Sequence, residues 1–339
     1  MVQFHPTGLL AGPGTRMTGT VIEEGLRGAG GYLLNGNQER FMGNYDPRNE
    51  RATRDIVSRA INSEIRAGRA TPSGGVYIQM SHLGPENVRK LFKGMVERCA
   101  DSGFDLTNDL VEVVPTAHYM MGGLVFKKDC TTDLPGLFAA GEDTGGVHGA
   151  NRLGGNGVAN STVFGAIAGE SMARWVASQK LRECNMEEVM ASIHEHEAPL
   201  QKPPGDIEFI RDALAECMWD DVGISRTKES LSRASQTLKQ LASQLHQMGV
   251  GDIQREYSNT WQDWMNLQNL VLVSQAVTEA AIARENSRGA HYREDFPEPG
   301  SLEDSYYTAV SFNHQMLSIE NRPVQFTMIK PGQTILVEA

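Results

Sequence analysis

The glycine-rich stretch Gly141–Val158 reads GEDTGGVHGANRLGGNGV, between a short apolar strand ending at Ala140 and a helix that opens near Ser161. Glu142 follows the carboxyl end of the strand, where a carboxylate is well placed to accept hydrogen bonds from ligand hydroxyl groups. The glycines allow backbone amides to approach a flat ligand, and the helix turns its positive end toward anionic atoms. The stretch therefore indicates a ligand-binding loop, and the alternative is an ordinary surface loop.

Two common phosphate-binding motifs do not occur in this loop. It has no Gly-Lys-Ser/Thr sequence, so it is not a Walker A loop. It also lacks the GxGxxG spacing of a dinucleotide fingerprint. The residues therefore give no support to phosphate binding here.

The composition excludes several classes of protein. The 339 residues carry 42 acidic and 31 basic side chains, and the formal charge of -11 argues against a nucleic-acid-binding surface. No apolar run approaches the roughly 18 residues that a membrane span needs, and the length suggests about two domains. The cysteines are scattered without a CxxC pair, so we expect no metal or cluster site in this chain and a reducing, cytoplasmic location. They are Cys99, Cys130, Cys184 and Cys217.

The chain changes character near Leu181. Before it, glycine-rich sequence alternates with short strands and helices, and the apolar residues between Arg54 and Arg66 keep a 3.6-residue period. After it, glycine becomes rare and helix formers predict an antiparallel bundle. The predicted elements before Leu181 are strands at 31–34 and 76–78, helices at 54–66 and 85–100, a strand from 115, a strand at 136–140 and a helix from 161. Those after it are helices at 186–198, 207–219, 226–248 and 255–285, and a strand at 324–328.

The loop sequence also resembles a known family. His148–Gly154, which reads HGANRLG, is similar to the signature of succinate dehydrogenase and fumarate reductase flavoproteins, with L-aspartate oxidase as a close relative. Further motifs of the family recur in its order between residue 2 and about residue 296. They are QFHPTG at 3–8, EGLRG at 24–28, RFM at 40–42, RD at 54–55, PTAHY at 115–119 with Gly122-Gly123, and SRGAH at 287–291 with RED at 293–295.

The resemblance implies an α+β or α/β fold with a capping domain, the carboxy-terminal part of a Rossmann-like FAD-binding domain and a helical bundle domain. The implied segments are 1–10 (end of a first FAD-domain segment), 11–114 (capping domain), 115–180 (second FAD-domain segment), 181–295 (helical domain) and 296–339 (strand-rich tail). The family's amino-terminal GxGxxG segment, which holds the ADP pyrophosphate, has no counterpart in these residues. We therefore expect Met1 to lie at an internal edge of a longer or split subunit.

The family likeness also implies a cofactor and a reaction. The cofactor is FAD, and the reaction interconverts succinate and fumarate by hydride transfer to or from flavin N5. The residues implied to bind the cofactor are Glu142, His148, Asn151, Arg152, Asn156, Gly157 and Val158.

Fumarate reduction needs a hydride at one alkene carbon, a proton at the other, and cations that bind two carboxylates. By resemblance, His5, His118 and Arg152 hold the dicarboxylate, and the planar fork of an arginine suits a carboxylate. Metal ligands are not expected in this site.

The implied acid is Arg54, which would deliver or remove the proton. An arginine has a pKa above 12, so it needs a partner that relays protons to it. Glu24 and Arg27 match the family's relay residues. Arg59, one turn after Arg54, is a second candidate that position alone does not exclude.

The sequence departs from the family pattern in two places. Glu23 stands before the relay glutamate, where relatives usually have a threonine that contacts a substrate carboxylate, and Thr18 or Thr20 is a candidate replacement for that hydroxyl. Gly157-Val158 stands where Ser-Leu is common. These changes affect the expected substrate more than the flavin chemistry.

The expected partners follow from the same resemblance. They are a dicarboxylate substrate, an iron-sulfur subunit that exchanges electrons with the flavin, and the missing FAD-binding segment, with membrane association only through partner subunits. Two alternatives stay open: an L-aspartate oxidase or other dicarboxylate oxidoreductase, and a non-catalytic fragment that binds no FAD alone.

Overall fold

The computed structural model describes residues 1–12, 16–181, 183–251, 255–313 and 316–333. The chain divides into two units, residues 1–177 with 289–291 and residues 178–288 with 292–339. The first unit mixes strands and helices and the second is mainly helical, which confirms the predicted fold class. The division into five segments stays a prediction, and the segments 11–114, 181–295 and 296–339 each include residues outside the described ranges.

The strands described in the first unit form one antiparallel sheet. They are β1 (Val2–Leu9), β2 (Tyr32–Leu34), β3 (Val76–Gln79) and β4 (Leu110–Met120), in the order β1-β4-β3-β2. Along β3 and the first half of β4, buried apolar residues alternate with partly exposed ones, as in a sheet with one face on a core. β1 is buried along nearly its whole length, so both of its faces can carry buried site residues.

The described part of the first unit contains five α-helices. They are α1 (Gly25–Gly28), α2 (Arg54–Arg66), α3 (Pro85–Leu91), α4 (Lys93–Ala100) and α5 (Asn156–Ser178). The buried stripe of α2 contains Arg54, Val57 and Ile61, and Ser58 Oγ donates a 3.3 Å hydrogen bond to the Phe4 carbonyl on β1. Because Arg54 lies on this stripe, it is held inside the unit beside β1. The core includes Leu9, Leu26, Leu33, Phe41, Val57, Ile61, Ile78 and Val113.

Two predictions around the glycine-rich loop are wrong in detail. Helix α5 begins at Asn156 and not near Ser161, because Gly155 (φ +80°) already turns the chain into the helix. Residues 136–140 form no strand, only an isolated bridge between Phe138 and Thr131. The positive φ of Gly136 (+89°) turns the chain immediately before this segment.

Three other predicted elements also need correction. The strand predicted from residue 115 begins at Leu110. The helix predicted at 85–100 is two helices, which meet at Phe92 because this residue leaves helical geometry and packs against the core. Residues 324–328 form no strand, and the strands of the tail are instead β5 (Tyr306–Asn313) and β6 (Met316–Pro323), an antiparallel pair.

The second unit has the predicted helical succession, with bounds that differ by a few residues. Its helices are α6 (Met186–Glu197), α7 (Ile207–Asp220), α8 (Lys228–Gln247) and α9 (Asn259–Ala283). Thr227 and Ser230 form a capping box at the start of α8, which satisfies two backbone amides there. Along α9, Trp264, Leu267 and Val271 are buried at helical spacing. Within the described residues, no helix is long and apolar enough to cross a membrane.

Candidate active site

Two histidines meet where β1 and β4 lose their regular pairing. Gln3 pairs with Tyr119 and Phe4 with Ala117, so His118 is an extra residue in β4. Such a bulge redirects side chains locally. The ring centroids of His5 and His118 consequently lie 5.2 Å apart, at 68° to each other.

A second bulge in the same strand pair lies beside Pro115. His5 pairs with Thr116 and Gly8 with Val114, so two residues of β1 oppose Pro115 alone. Proline has no N–H to give to a strand partner, and it is therefore found at bulges. The two bulges together fix both histidines at one end of the sheet.

Arg54, Glu24 and Arg27 form a continuous chain of charged hydrogen bonds. Arg54 Nη2 lies 3.0 Å from Glu24 Oε2, and Arg27 Nη2 lies 3.1 Å from Glu24 Oε1. Both guanidinium groups are buried, and the carboxylate between them is 41% exposed. Glu24 therefore lies between the two arginines and contacts both.

The charges around Glu24 keep it ionised. Burial raises the pKa of this carboxyl, but the hydrogen bond and charge of Arg54, with those of Arg27, outweigh burial and hold the pKa below its usual value. Burial also lowers the pKa of Arg27, although Glu24 opposes that change. A buried arginine whose charged form is disfavoured is a better proton donor than an exposed one.

Arg152 contacts His118 and the ring of Tyr119. Its Nη2 donates to His118 Nε2 at 2.9 Å, and its guanidinium lies 4.3 Å from the centroid of the Tyr119 ring. Since arginine only donates, His118 accepts through Nε2 and its ring proton is on Nδ1. The Nε atom of Arg152 is buried and has no hydrogen-bond partner among the described residues, so part of this cation is available to an anionic group.

Both histidines are neutral at ordinary pH. Burial, reinforced by the charge of Arg54, lowers the pKa of His5 to about 2. Burial and the charges of Arg54 and Arg152 also lower the pKa of His118. The Thr7 amide donates to His5 Nδ1, so the proton of His5 is on Nε2, where it can be donated.

Gln3 is a central site residue to which the sequence motifs assigned no role. Its Oε1 accepts from Arg54 Nη1 at 3.1 Å, and its Nε2 donates to Asn151 Oδ1 at 2.8 Å and to the Arg152 carbonyl at 2.6 Å. It is fully buried. The only signal for it was its place in the QFHPTG motif, two residues before His5 and so on the same face of β1.

The structure separates Arg59 from the site. Its Nη1 donates to the Gly289 carbonyl at 2.8 Å, and its Nη2 pairs with Asp55 at 3.2 Å. Asp55 also accepts from Asn151 Nδ2 through Oδ1, whereas Arg59 contacts Oδ2. Of the two arginines considered, only Arg54 contacts Glu24.

Glu23 and the two threonines considered as replacements for the family's hydroxyl lie close together in the sequence. Thr18 Oγ1 accepts from the Ala11 amide and donates to the Gly12 carbonyl, so its hydroxyl is engaged within its own loop. Glu23 is exposed and follows buried Ile22. The Thr20 hydroxyl has no hydrogen bond to the described residues.

The predicted cofactor residues line the start of α5 and the loop before it. Glu142 Oε1 accepts from the Met120 amide at 2.8 Å, which holds the loop to β4. His148 Nε2 lies 3.2 Å from Tyr119 Oη and 3.2 Å from Asn160 Nδ2. Burial and the charge of Arg152 lower the pKa of His148. Both ends of the Asn151 amide bond protein groups, which favours a positioning role for that side chain.

The loop has features that fit the edge of a flavin. Asn160 Oδ1 and Arg152 Nε are buried without a hydrogen-bond partner among the described residues. Asn156 and Val158 are exposed in the first turn of α5, where amides without a helical partner point outward. A Cβ atom at Gly157 would lie 2.9 Å from the Tyr119 ring, so this glycine permits a close approach of helix and strand. No cluster of metal-ligating residues occurs within the described ranges.

Two family models match this chain. The model described as FAD binding domain matches residues 1–158, which include the histidines, Arg54 and the glycine-rich loop. The model described as fumarate reductase flavoprotein C-term matches residues 211–335. The two matches are in the order that the motifs predicted.

Characterised relatives agree with these models. A fumarate reductase (CoM/CoB) subunit of Methanothermobacter marburgensis is 44% identical over 301 residues, which are 88% of this chain and 54% of the relative. The L-aspartate oxidase of Pseudomonas aeruginosa is 36% identical over 299 residues, 87% of this chain and 52% of the relative. The chain therefore spans about half the length of the curated relatives that it matches.

Solved structures show the same relationship. A quinol fumarate reductase structure from E. coli matches with a TM-score of 0.85 and 32% identity, covering 98% of this chain and 60% of that one. The matched part includes residues of both units. The chain belongs to the family of FAD-dependent flavoproteins that comprises fumarate reductases, succinate dehydrogenases and L-aspartate oxidases.

Proposed function

We propose that the protein is part of an FAD-dependent oxidoreductase that interconverts succinate and fumarate. The observation that carries this proposal is the convergence of two neutral histidines and Arg152 beside the Arg54–Glu24–Arg27 chain. Arg152 contacts His118 directly, and Gln3 links Arg54 to the backbone of Arg152. Cations and a relay gathered at one place suit a small dianion that gains or loses a proton.

His5, His118 and Arg152 bind the substrate carboxylates in this proposal. His5 presents its Nε2 proton, and Arg152 presents guanidinium donors held in place by His118 and the Tyr119 ring. Hydrogen bonds from an ionised donor to a carboxylate are among the strongest in proteins. Because both histidines stay neutral near neutral pH, they donate hydrogen bonds without changing their charge there. Substrate affinity therefore does not vary with their protonation in that range.

Arg54 moves the proton. Its guanidinium holds the proton that goes to the substrate carbon, and Glu24 accepts hydrogen bonds from Arg54 and Arg27 at opposite oxygens. A proton lost by Arg54 can therefore be replaced from Arg27 through Glu24. General acid catalysis of this kind contributes about 10²- to 10⁴-fold to a rate.

FAD, when bound, supplies or accepts the two electrons as a hydride. The backbone of Asn156, Gly157 and Val158 at the start of α5 would hold its anionic edge, since the positive end of the helix lies there. Glu142 and His148 would hold hydroxyl and ring atoms from the loop. The chain then supplies the substrate side of the site and one wall of the cofactor site.

Fumarate reduction tests the proposed function. The full-length protein, loaded with FAD and supplied with a reduced viologen dye, should reduce fumarate and should oxidise succinate with an electron-accepting dye. Absence of both reactions in a flavin-loaded protein would overturn the proposal.

L-Aspartate oxidation is the second candidate function, because an L-aspartate oxidase matches at 36% identity. The PTG sequence after His5 and the PT sequence before Ala117 favour the succinate and fumarate branch. Oxygen-dependent turnover of L-aspartate by the flavin-loaded protein, without fumarate reduction by viologen, would decide for the oxidase.

Two features of the assembly belong to the same proposal. An iron-sulfur subunit would exchange electrons with the flavin, and the family's amino-terminal FAD segment would complete the cofactor site. Absorbance at the flavin bands, measured on this chain with added FAD and after gel filtration, tests the second point. Retention of stoichiometric FAD by residues 1–339 alone would show that the extra segment is not needed.

A further inference from the structure

The carboxylate of Glu50 is buried beside the relay and is tightly bound. Arg40 donates to it twice, from Nε at 2.9 Å and from Nη2 at 2.6 Å, and the Leu33 amide of β2 donates at 3.2 Å. The glutamate side chain is 4% exposed and that of Arg40 is 43% exposed. A bidentate arginine fixes both the position and the plane of a carboxylate.

The backbone of the same glutamate contacts the relay. Glu50 lies in a single 3-10 turn, Asn49–Arg51, and its carbonyl accepts from Arg27 Nη1 at 2.7 Å. The other terminal nitrogen of Arg27 binds Glu24, and Arg27 Nε has no hydrogen-bond partner among the described residues. The guanidinium is planar and rigid, so an anchor on Nη1 also sets the position of Nη2.

We propose that the Arg40–Glu50 pair is a positioning element of the proton relay. Arg40 fixes the Glu50 side chain, this fixes the turn, and the turn carbonyl holds Arg27 against Glu24. The inference rests on the proposed function, because it assigns a task to residues around the relay of that function. Neither Arg40 nor Glu50 touches the substrate residues, so the pair acts through Arg27.

Arg40 is itself held from its outer side. Its guanidinium lies 4.0 Å from the centroid of the Tyr32 ring, and Tyr32 stacks on His82 at 3.9 Å and 9°. His82 Nε2 lies 2.9 Å from the Gly30 carbonyl, which belongs to the segment that follows α1. The Tyr32–His82 stack therefore links Arg40 to the segment that follows α1, the helix that contains Arg27. A cation–π contact of this kind adds to the stability of the Arg40–Glu50 ion pair.

The same unit contains a matched control pair. Arg69 donates to Glu64 at 2.7 and 2.8 Å, the glutamate side chain is 3% exposed and that of Arg69 is 39% exposed. The other partners of Glu64 are Tyr45 and Asn35. Loss of either arginine leaves a buried carboxylate without its bidentate partner. Of the two glutamates, however, only Glu50 has a hydrogen bond to a relay residue, Arg27.

The pH dependence of turnover is the most informative readout. Glu24 faces Arg54 from α2 and Arg27 from α1, and it is in electrostatic range of His118 from β4 and Arg152 from the loop. If Arg27 moves away, Glu24 loses one of the charges that lower its pKa. The acid limb of kcat then moves to higher pH, because more of the carboxylate is protonated at a given pH.

The experiment compares Arg40→Ala and Arg69→Ala in the full-length, FAD-loaded protein. We expect both variants to lose similar thermal stability. Arg40→Ala should also lower kcat by about tenfold, within the loss that a small misplacement can cause, with KM changed by less than about twofold. Its acid limb should move to higher pH, whereas Arg69→Ala should keep the wild-type limb and a kcat within about twofold of wild type.

Arg40→Lys gives a graded form of the same comparison, since it keeps the charge but not the bidentate fork, and it should recover part of the lost kcat. It also serves as the test variant if Arg40→Ala does not fold. Equal kcat values and equal acid limbs for the substitutions at positions 40 and 69 would overturn the inference.

A crystal structure of the Arg40→Ala variant provides a readout that does not depend on activity. The distance from Arg27 Nη1 to the Glu50 carbonyl should exceed about 3.5 Å, the limit of a hydrogen bond. An unchanged distance would overturn the inference. A wild-type protein that holds FAD but does not turn over fumarate or succinate would instead overturn the proposed function.

Discussion

Glu24 and Arg54 are joined across 30 residues of sequence by two hydrogen bonds to a single carboxylate oxygen, from Nη2 at 3.0 Å and from Nε at 3.3 Å. The other oxygen of Glu24 is left for Arg27. A carboxylate that shares its two oxygens between two buried arginines can pass a proton from one to the other. Gly154 lies against this pair, since a Cβ there would be 3.0 Å from Glu24 Oε2.

Gln3→Leu should lower kcat by about ten- to a hundredfold while the protein keeps its fold and its FAD. The amide holds Arg54 and the Arg152 backbone together, so its loss misplaces the acid relative to the substrate cations, and a shift of about 1 Å can have such an effect. Steady-state kinetics of fumarate reduction measure this change. Gln79→Leu on β3, whose amide contacts only Ser81 among the described residues, is the control and should stay near wild type.

The motifs singled out several of the residues that the structure brings together here, because each motif is a local pattern with a fixed order. The residues His5, Arg54 and His118 each lie within such a pattern, and the 3.6-residue period predicted the helix that begins at Arg54. The structure then brings these segments together. Periodicity could also locate the helices of the second unit, since their apolar faces repeat at helical spacing.

The remaining features depend on contacts that a local pattern does not contain. The bulge at His118 arises from pairing with β1, more than 100 residues away in sequence, and pairing register cannot be read from β4 alone. Gln3 and Glu50 act through a side-chain amide and a backbone carbonyl, which have no sequence signature. Asn156 and Gly157 look like loop residues, and only the turn at Gly155 makes them the start of a helix.

His5→Gln should reduce the loss of stability on acidification. The pKa of His5 is about 2 in the folded protein and near 6.5 when unfolded, so below pH 6.5 the unfolded state binds a proton that the folded state does not. The stability from this group is present above pH 6.5 and falls with pH by about 1.4 kcal/mol per unit. Urea denaturation of the wild type and of His5→Gln between pH 6.5 and 5 measures the slope. An equal slope in wild type and His5→Gln would contradict the burial of a neutral imidazole.

Gly157→Ser should destabilise the protein by about 1–2 kcal/mol, as expected for an added atom in a packed site. The new Cβ would lie 2.9 Å from Tyr119, whose ring also carries the Arg152 guanidinium. Thermal unfolding measures the effect. Gly165→Ser is a matched control in the same helix, because nothing lies within 4 Å of a Cβ there, and it should be neutral or slightly stabilising. Equal melting temperatures for the two variants would show that the helix and Tyr119 separate without cost.

Glu23→Gln should lower KM for fumarate by about two- to fivefold, because it removes a negative charge next to Glu24 in the sequence, and that charge repels a dianion. Glu23→Thr should lower KM further if the hydroxyl also binds a carboxylate. The difference from wild type should shrink at high salt, since the side chain is exposed and its charge is screened. Glu86→Gln, at an exposed position on α3, is the control. An unchanged KM in both variants would show that the charge of Glu23 does not affect substrate binding.

The role of Arg54 as the acid is tested by fumarate reduction with Arg54→Gln in the flavin-loaded protein. We expect kcat to fall by about 10³-fold, as for the loss of a general acid, while FAD content and succinate affinity stay within about fivefold of wild type. Arg59→Gln, which removes a neighbouring arginine bound to Gly289 and Asp55, should keep kcat within about twofold. An Arg54→Gln variant that retains more than about a tenth of the wild-type kcat would contradict this role, because another group would then have to deliver the proton.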